Sequence, residues 1–134
     1  MRAILQLAVV QSEEEKKNIK DLAEELKIPT PYLRKILQEL VPRKLVSSSK
    51  GPNGGFYLTD QNRQAPLMSI IEAIDGLAFF ETCGLGLSLC SDDHPCPIHH
   101  DFKIARDHIK NIFANKSVDD LASVIKENDL FLVR

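Results

Sequence analysis

The alternation of apolar and polar residues divides this chain into a series of short helices, with one stretch of strand character between them. The first apolar run, residues 2–12, predicts a packed helix that is followed by a charged link. Asn18 is then expected to cap a second helix, with Asp21 three residues later completing a capping box. This second helix should end near Lys27.

A third helix follows, and its outward face is rich in hydrogen-bond donors. Thr30 is expected to be its N-cap, Pro31 to occupy its first position and Pro42 to end it. Its apolar residues recur at helical spacing: Leu33, Ile36, Leu37 and Leu40. With that stripe turned inward, the opposite face carries basic and amide side chains: Arg34, Lys35 and Gln38. Two short helices joined by a tight turn predict a helix-turn-helix, whose second helix enters the major groove of DNA. A helical hairpin with a charged outer face is the alternative.

Two strand-like runs, residues 45–49 and 55–59, surround a centre of turn-forming residues. Asn53 and Gly54 at that centre predict a two-residue hairpin turn, because both residues tolerate the positive φ that such a turn requires. A basic hairpin directly after a recognition helix is typical of a winged helix. Its Lys50 and backbone N–H groups would meet DNA phosphates.

The second half of the chain is again helical. After a polar link at residues 61–64, Pro66 is expected to begin a helix with one apolar face: Ile70, Ile71, Ile74, Leu77 and Ala78. A later helix has the spacing of a coiled-coil seam: Phe102, Ala105, Ile109 and Ile112. This seam could pair with its twin in a dimer or pack within the chain. Ser117 and Asp120 predict the cap of a last helix, and residues 130–133 are expected to dock against the body.

Size and hydropathy narrow the class of protein. The 134 residues make one domain's worth of chain. They contain no apolar run long enough to span a bilayer, and residues 1–10 lack the pattern of a signal peptide. A cytoplasmic protein is therefore expected.

The net charge of −2 hides an asymmetry between the two halves. Residues 1–63 hold eleven Lys/Arg against eight Asp/Glu, whereas residues 64–134 hold six against eleven. Between Lys27 and Lys50 there are six cations and one anion, Glu39. A local positive surplus on a mildly acidic protein predicts a docking patch for a polyanion, with an ordinary solvated face as the alternative.

Three cysteines, Cys83, Cys90 and Cys96, fall within fourteen residues on a polar loop, and His99 follows closely. An odd number of thiols on such a loop indicates thiolate ligation or redox switching, and not a disulfide scaffold. The gaps of six and five residues exceed the spacing of about two to four that is typical of zinc ligand pairs. They favour an iron-sulfur cluster, while a zinc site and a metal-free thiol switch stay open.

An enzyme is not predicted. Neither a strand-to-helix nucleophile elbow nor a phosphate-cradling glycine loop accompanies the cysteines. The remaining histidines, His94, His100 and His108, are assigned to the surface or to helix packing, with only His100 able to replace His99. A winged helix that binds protein and never touches DNA is a further alternative. A salt titration distinguishes a DNA-binding from a protein-binding winged helix, because DNA binding weakens steeply as the salt concentration rises.

Several segments together resemble the IscR/NsrR regulators, also called the Rrf-two family. They are Tyr32-Leu33, the runs 45–48 and 50–56, the helix 70–76 and the loop ending at residues 96–99. This resemblance covers nearly the whole chain and implies a dimeric bacterial repressor that grips double-stranded DNA at a palindromic operator. It further implies an iron-sulfur cluster, of the 2Fe-2S or 4Fe-4S type, that reports iron status, oxidants or nitric oxide.

The resemblance also assigns residues by position. Cys83, Cys90 and Cys96 look like cluster ligands, and His99 sits where some family members supply a fourth. The DNA contacts fall on the third helix and the hairpin: Thr30, Pro31, Tyr32, Arg34, Lys35, Gln38, Lys50, Asn53 and Gly54. The chain departs from the family in two respects. The gap between the first two cysteines is shorter in the family. Family members also begin earlier, and in some of them that additional stretch supplies an aspartate ligand across the dimer. If the chain is complete, His99 is the expected fourth ligand.

The sequence thus predicts a mainly α fold with a small β-hairpin wing, in one compact domain. Residues 1–63 would form the winged helix-turn-helix, and residues 64–134 a linker helix, the cysteine loop at 83–99 and a C-terminal dimerisation helix. Cluster state is expected to set the position of the loop and the seam helix, and so the spacing of two recognition helices in a homodimer. No membrane association is expected.

Overall fold

A computed structural model describes residues 1–9 and 15–132 of the chain. Within those residues the fold is mainly helical, with one antiparallel pair of strands between the third and fourth helices. The elements are α1 Arg2–Val9, α2 Ile19–Leu26, α3 Thr30–Leu40, β1 Ser47–Ser49, β2 Gly55–Tyr57, α4 Asp60–Arg63, α5 Leu67–Ile74, a 3-10 turn Ala78–Phe80, α6 His99–Ala114 and α7 Val118–Glu127. The predicted fold class is confirmed. The first predicted helix is present as far as Val9, and its remaining positions lie outside the described residues.

One hydrophobic core joins the two ends of the chain. α1 packs against α7, α2 against α3, and α3 against α5, so that the last helix closes over the first. The most deeply buried side chains come from nearly every element: Ile4, Leu22, Leu26, Leu33, Leu37, Leu40, Val46, Leu67, Ile70 and Val118. Three of the four apolar residues predicted for the third helix are among them, and the fourth, Ile36, is partly buried against the same core.

Asn18 caps α2 as predicted, by accepting a hydrogen bond of 2.9 Å from the N–H of Lys20. The predicted capping box with Asp21 is not found among the described contacts. α2 ends at Leu26, and Lys27 is its C-cap in the left-handed conformation with φ 53°. Thr30 was expected to be the next N-cap, but that position belongs to Pro29, whose carbonyl accepts the N–H of Leu33 at 3.0 Å. Thr30 is therefore already helical, and Pro31 follows it inside the first turn, where its missing N–H leaves no helical hydrogen bond unmade.

The hairpin has a longer connection than expected. β1 and β2 pair in the register Ser47–Tyr57, Ser48–Phe56 and Ser49–Gly55, which leaves residues 50–54 as the loop. The prediction of a two-residue turn at Asn53 and Gly54 is therefore wrong. The positive φ of this loop falls on Gly51, at 103°, and the N–H of Gly54 donates to the Gly51 carbonyl at 3.0 Å.

A third segment extends the hairpin at its second strand. The backbone of Lys17 pairs with that of Phe56 through two hydrogen bonds of 2.9 and 3.0 Å. Gly55 permits this approach, since a Cβ there would lie 2.6 Å from the Lys17 carbonyl oxygen. The wing is therefore tied to the segment that leads into α2.

The connection from the wing to the second half is helical, where a polar link was expected. Residues 60–63 form α4, because Thr59 and Asn62 make a reciprocal capping box. α5 begins after Pro66 as predicted, but it ends at Ile74, and Gly76 with φ 74° turns the chain away. The predicted continuation of its apolar face to Leu77 and Ala78 therefore lies beyond the helix.

The cap of the last helix was predicted correctly, because Ser117 caps α7 and Asp120 completes the capping box. Among the described residues, the predicted docking of residues 130–133 holds only for Leu132, which packs against the core. Leu130 and Phe131 are 51% and 79% exposed. Val133 lies outside the described residues. In the part of the chain that the structure describes, no helix is both long and apolar enough to cross a membrane.

Candidate DNA interface and cysteine loop

The recognition face of α3 points away from the core. Arg34, Lys35 and Gln38 are all exposed, as is Pro31 at the start of the helix. Tyr32 is 60% exposed, which is a large solvent contact for an aromatic ring. Thr30 is half-buried and lines a separate shallow cleft with Lys20 and the α2–α3 turn.

A cleft of about 510 Å³ lies between α2, α3 and the wing, and four of the predicted DNA contacts line it: Arg34, Gln38, Lys50 and Gly54. Sequence reasoning missed further lining residues with hydrogen-bonding side chains: Asn18, Lys20, Ser48 and Ser49. The one signal that could have found Lys20 is its place in the first turn after a helix cap. None of the described residues that line this cleft is acidic, so its walls attract anions.

Three cations surround this cleft: Lys20, Arg34 and Lys50. Such a set of side chains is suited to receive a phosphate group. Ser49 also lines the cleft, and its hydroxyl oxygen is buried without a hydrogen-bond partner among the described residues.

The wing is held in place by Asn62, which is only 2% exposed. Its amide nitrogen donates to the carbonyl of Lys44 at 2.6 Å, and its amide oxygen accepts from the hydroxyl of Ser47 at 2.8 Å and the N–H of Thr59 at 2.9 Å. One side chain thus joins the turn after α3 to both ends of the hairpin. Its position within a stretch that looked like a polar link hid this role from sequence reasoning.

The cysteine loop brings its donors together in two pairs. The first pair is Cys83 and Cys96, whose sulfur atoms lie 3.8 Å apart. Cys83 is buried at 8% exposure. Backbone N–H groups of Leu85 and Leu87 lower the pKa of the Cys83 thiol, with a further contribution from Cys96, against the opposing effect of burial. These contacts favour a thiolate at Cys83.

The second pair is Cys90 and His99, with 3.5 Å between the sulfur and Nδ1. His99 begins α6 and is 4% exposed. Its other ring nitrogen, Nε2, lies 2.9 Å from an oxygen of Asp92, and the second oxygen of Asp92 accepts from Lys103 at 2.6 Å. Hydrogen bonds from Lys103 and then His99 lower the pKa of Asp92 to about 2. Asp92 in turn raises the pKa of Lys103.

Arg106 connects this second pair to the rest of the loop. Its guanidinium donates to the carbonyl of Thr82 at 2.9 Å and to the sulfur of Cys90 at 3.6 Å. Neither Asp92 nor Arg106 was singled out from the sequence, because each contact joins the loop to α6 across a gap that no local pattern reveals.

The distances within the two pairs are those of thiol hydrogen bonds, and they are also compatible with two donors that share a tetrahedral metal ion. Bonds of about 2.3 Å to sulfur and about 2.0–2.1 Å to imidazole nitrogen place two thiolates about 3.8 Å apart, and a thiolate and an imidazole about 3.5 Å apart. The observed values are 3.8 and 3.5 Å. Cys83 and Cys90, one from each pair, line the same open pocket. In residues 1–9 and 15–132, no three His, Cys, Asp or Glu side chains group to hold a single metal ion.

The predicted seam of α6 is exposed in its second half. Ile109 and Ile112 are 40% and 41% exposed. Ile104, which lies outside the seam, is 70% exposed. Ala105 is exposed as well, and Phe102 is half-buried. The remaining histidines of the sequence, His94, His100 and His108, are also exposed.

A helix-turn-helix followed by a hairpin wing, with a cation-lined cleft between them, defines the class of this protein as a winged helix-turn-helix. Residues 1–124 match the Rrf2 family, described as iron-dependent transcriptional regulator, and the chain belongs to that family. The resemblance found in the sequence is thereby confirmed. Because the family and the relatives are regulators, the prediction that the chain is not an enzyme is confirmed too.

Individual relatives agree with this assignment. Over 86% of its length the chain is 35% identical to 81% of a protein from Aquifex aeolicus (strain VF5) that is provisionally named an HTH-type transcriptional regulator. Two solved structures share the fold at 21% identity. The structure of CymR, the global cysteine regulator of B. subtilis, has a TM-score of 0.72 over 92% of this chain and 89% of that one. T. potens IscR has a TM-score of 0.70 over 97% of this chain and 85% of that one.

Proposed function

We propose that this regulator acts in the cytoplasm as a homodimer that binds a palindromic operator and senses iron or oxidants through an iron-sulfur cluster in its cysteine loop. The observation that carries the proposal is the arrangement of Cys83, Cys90, Cys96 and His99 as two pairs at ligand-sharing distances. The family's description as iron-dependent supports it.

The DNA half of the proposal rests on the cleft between α2, α3 and the wing. Arg34 and Gln38 are the side chains suited to reading bases from the major groove. Lys20 and Lys50 are suited to phosphates. In a dimer, two such faces would engage half-sites about one helical turn, ~34 Å, apart.

The donor set fits a cluster of the 2Fe-2S type. Cys83 and Cys96 would hold one iron, and Cys90 and His99 the other, since each iron of such a cluster takes two protein ligands. When bound, the cluster would supply a redox-active and oxidant-sensitive centre. A neutral imidazole in place of a thiolate raises the reduction potential, and it makes ligand exchange sensitive to pH. A single structural zinc would need all four donors around one ion, which the two separate pairs do not favour.

The chain has its own connections between the loop and the DNA-binding face. Arg106 joins α6 to the carbonyl of Thr82 and to Cys90. At the other end, Arg43 follows α3 and donates to the carbonyl of Ala73 on α5 at 2.7 Å. α5 is joined to the cysteine loop through Gly76 and the 3-10 turn Ala78–Phe80, so a change in the loop can reach the end of the recognition helix through α5.

A metal-free thiol switch is the second candidate, and the 3.8 Å contact between Cys83 and Cys96 favours it. One hydrogen peroxide could oxidise both thiols to one disulfide and be reduced to two waters, and an organic peroxide would give one alcohol and one water. Under this alternative, oxidised protein would carry one Cys83–Cys96 bond and no iron.

DNA binding by anaerobically prepared protein tests the proposal. Duplexes would first be selected from a random-sequence pool and then titrated with iron-loaded wild type and with Cys90→Ala. We expect a change in affinity of about 5–150-fold between the two, the range of a coupling of about 1–3 kcal/mol. With about six phosphate contacts, affinity should fall at least about a thousandfold between 50 and 200 mM salt. Equal affinities would reject coupling, and salt-independent binding would reject the DNA interface.

A further inference from the structure

His99 is one of two polar side chains that are buried among the described residues, the other being Asn62. Both of its ring nitrogens have neighbours. Nδ1 lies 3.5 Å from the Cys90 sulfur, and Nε2 lies 2.9 Å from Asp92. Lys103 holds the second oxygen of the same carboxylate at 2.6 Å. The four side chains form a continuous series of contacts, from Lys103 through Asp92 and His99 to Cys90.

The hydrogen-bonding partners in this series determine which ring nitrogen of His99 carries the proton. A carboxylate paired with a lysine only accepts hydrogen bonds, so the Nε2 atom of His99 must be the donor to Asp92. In the neutral imidazole the other nitrogen, Nδ1, then keeps its lone pair. That lone pair faces Cys90, the partner with which His99 would share an iron.

We propose that Asp92 is a positioning residue for His99. With Lys103 behind it, the carboxylate holds the buried imidazole in the Nε2–H tautomer and presents Nδ1 as the ligand atom beside Cys90. The inference rests on the proposed function and deepens it, because it says how an imidazole becomes the fourth ligand. Carboxylates that accept the free N–H of a ligating histidine fix its orientation and raise its basicity, and their loss costs about 10–100-fold in metal affinity.

Asp93 provides a matched control. It is the next residue in the same loop and carries the same charge, and its own backbone N–H bonds to the hydroxyl of Ser91 at 3.1 Å. Among the described residues its carboxylate has no hydrogen bond or ion pair. Asp93→Asn therefore removes the charge that Asp92→Asn removes and leaves the contact with His99 in place.

The first experiment uses the iron-free, reduced protein labelled with ¹⁵N-histidine. At a pH where the imidazole is neutral, nitrogen chemical shifts distinguish the two tautomers. Wild type and Asp93→Asn should show His99 with the proton on Nε2. Asp92→Asn should show a mixture or the opposite tautomer, because an amide can donate to Nε2 as well as accept from it. An unchanged tautomer in Asp92→Asn would overturn the proposal.

The second experiment uses protein reconstituted with iron and sulfide and follows the loss of visible absorbance after a chelator is added. Asp92→Asn should lose its iron about 10–100-fold faster than wild type, Asp93→Asn at the wild-type rate, and Asp92→Glu at a rate between them. In a His99→Cys background, Asp92→Asn should have no effect, since the residue acts through the imidazole. An equal effect in both backgrounds would show that Asp92 only stabilises the loop, which overturns the proposal.

The two experiments also separate this inference from the proposed function. If wild-type protein takes up no cluster, the proposed function fails, and the ligand role of Nδ1 fails with it. The tautomer measurement would still decide whether Asp92 holds His99. If wild type takes up the cluster and the His99 tautomer is the same in wild type and Asp92→Asn, only the positioning role of Asp92 is rejected.

Discussion

Asn62 is the residue on which the geometry of the wing most depends. Its three hydrogen bonds reach the turn after α3, the start of β1 and the residue that follows β2. A buried amide is stabilising only while its partners are satisfied, because each orphaned polar group retains its desolvation cost. The side chain therefore helps to hold the hairpin against the turn that follows the recognition helix.

Replacement of Asn62 with Ala should lower the free energy of unfolding by about 2–3 kcal/mol, since the Lys44 carbonyl and the Thr59 N–H would lose their partner. Urea denaturation measures this change. The control is Gln61→Ala at the neighbouring exposed position, for which a change within about 0.5 kcal/mol is expected. Equal free energies of unfolding for the two variants would show that the hydrogen bonds of Asn62 do not stabilise the fold.

Arg34 and Lys50 should differ in the kind of DNA contact that they make. Arg34→Ala is expected to cost about 1–3 kcal/mol at particular base pairs of the operator, whereas Lys50→Ala should weaken binding evenly across sequences and reduce the salt slope by about 1. Affinity measurements on a panel of single-base operator variants separate the two patterns. An even loss for Arg34→Ala would assign that residue to phosphate contact.

At the level of elements, local signals were the reliable ones. The caps of α2 and α7 and the apolar stripe of α3 could be predicted because each depends on residues within one or two turns of each other. The prediction of the hairpin turn was wrong because local turn residues do not set the register of the two strands. That register is set by the pairing of Ser49 with Gly55 and by the approach of Lys17. α4 was missed because a four-residue helix has too few positions to show a period.

The cap of α7 makes a prediction about pH. The backbone N–H of Ser117 and then its hydroxyl lower the pKa of Asp120. Because the pKa is lower in the folded protein than in the unfolded chain, this contact stabilises the fold at neutral pH, and its effect is lost as the pH falls below about 4. The stability difference between wild type and Asp120→Asn should therefore narrow as the pH falls from 7 through 4.

Ser117→Ala is the companion variant, with an expected loss of about 0.5–2 kcal/mol at pH 7. Urea midpoints measured across that pH range check both expectations. A difference between wild type and Asp120→Asn that stays constant with pH would contradict the assignment of the cap to an ionised carboxylate.

For the whole molecule, the exposed face of α6 is the feature that a single chain does not explain. Ile109 and Ile112 share a face of α6 and are each about 40% exposed, and exposed apolar patches mark sites of association. The periodicity of the seam could be predicted from the sequence. Whether it faced the protein or the solvent could not, because that depends on which side of α6 the cysteine loop occupies.

Charges placed on this face should weaken the proposed dimer. Ile109→Glu combined with Ile112→Glu is expected to weaken self-association at least about tenfold, equivalent to about 1.4 kcal/mol. Sedimentation over a range of concentrations measures the change. The control, Val124→Glu on α7, carries the charge on an apolar residue that is 46% exposed outside the seam. Equal association in both variants would place the dimer interface elsewhere.

The convergence of the cysteine loop is the part of the site that sequence could least define. Spacing located the thiols and His99, but the pairing of Cys83 with Cys96 and of Cys90 with His99 follows from how the loop folds onto α6. The supporting contacts of Asp92 and Arg106 come from the same folding. These long-range contacts carry the proposal of a sensor.

Iron and sulfide analysis of anaerobically purified protein, together with its visible spectrum, is the most direct test of that proposal. We expect coloured protein with about two irons and two sulfides per chain, as a 2Fe-2S cluster requires. Cys90→Ala should fold like wild type and lose the colour. Wild-type protein that stays colourless and iron-free after reconstitution would contradict the account and leave a DNA-binding regulator without its sensor.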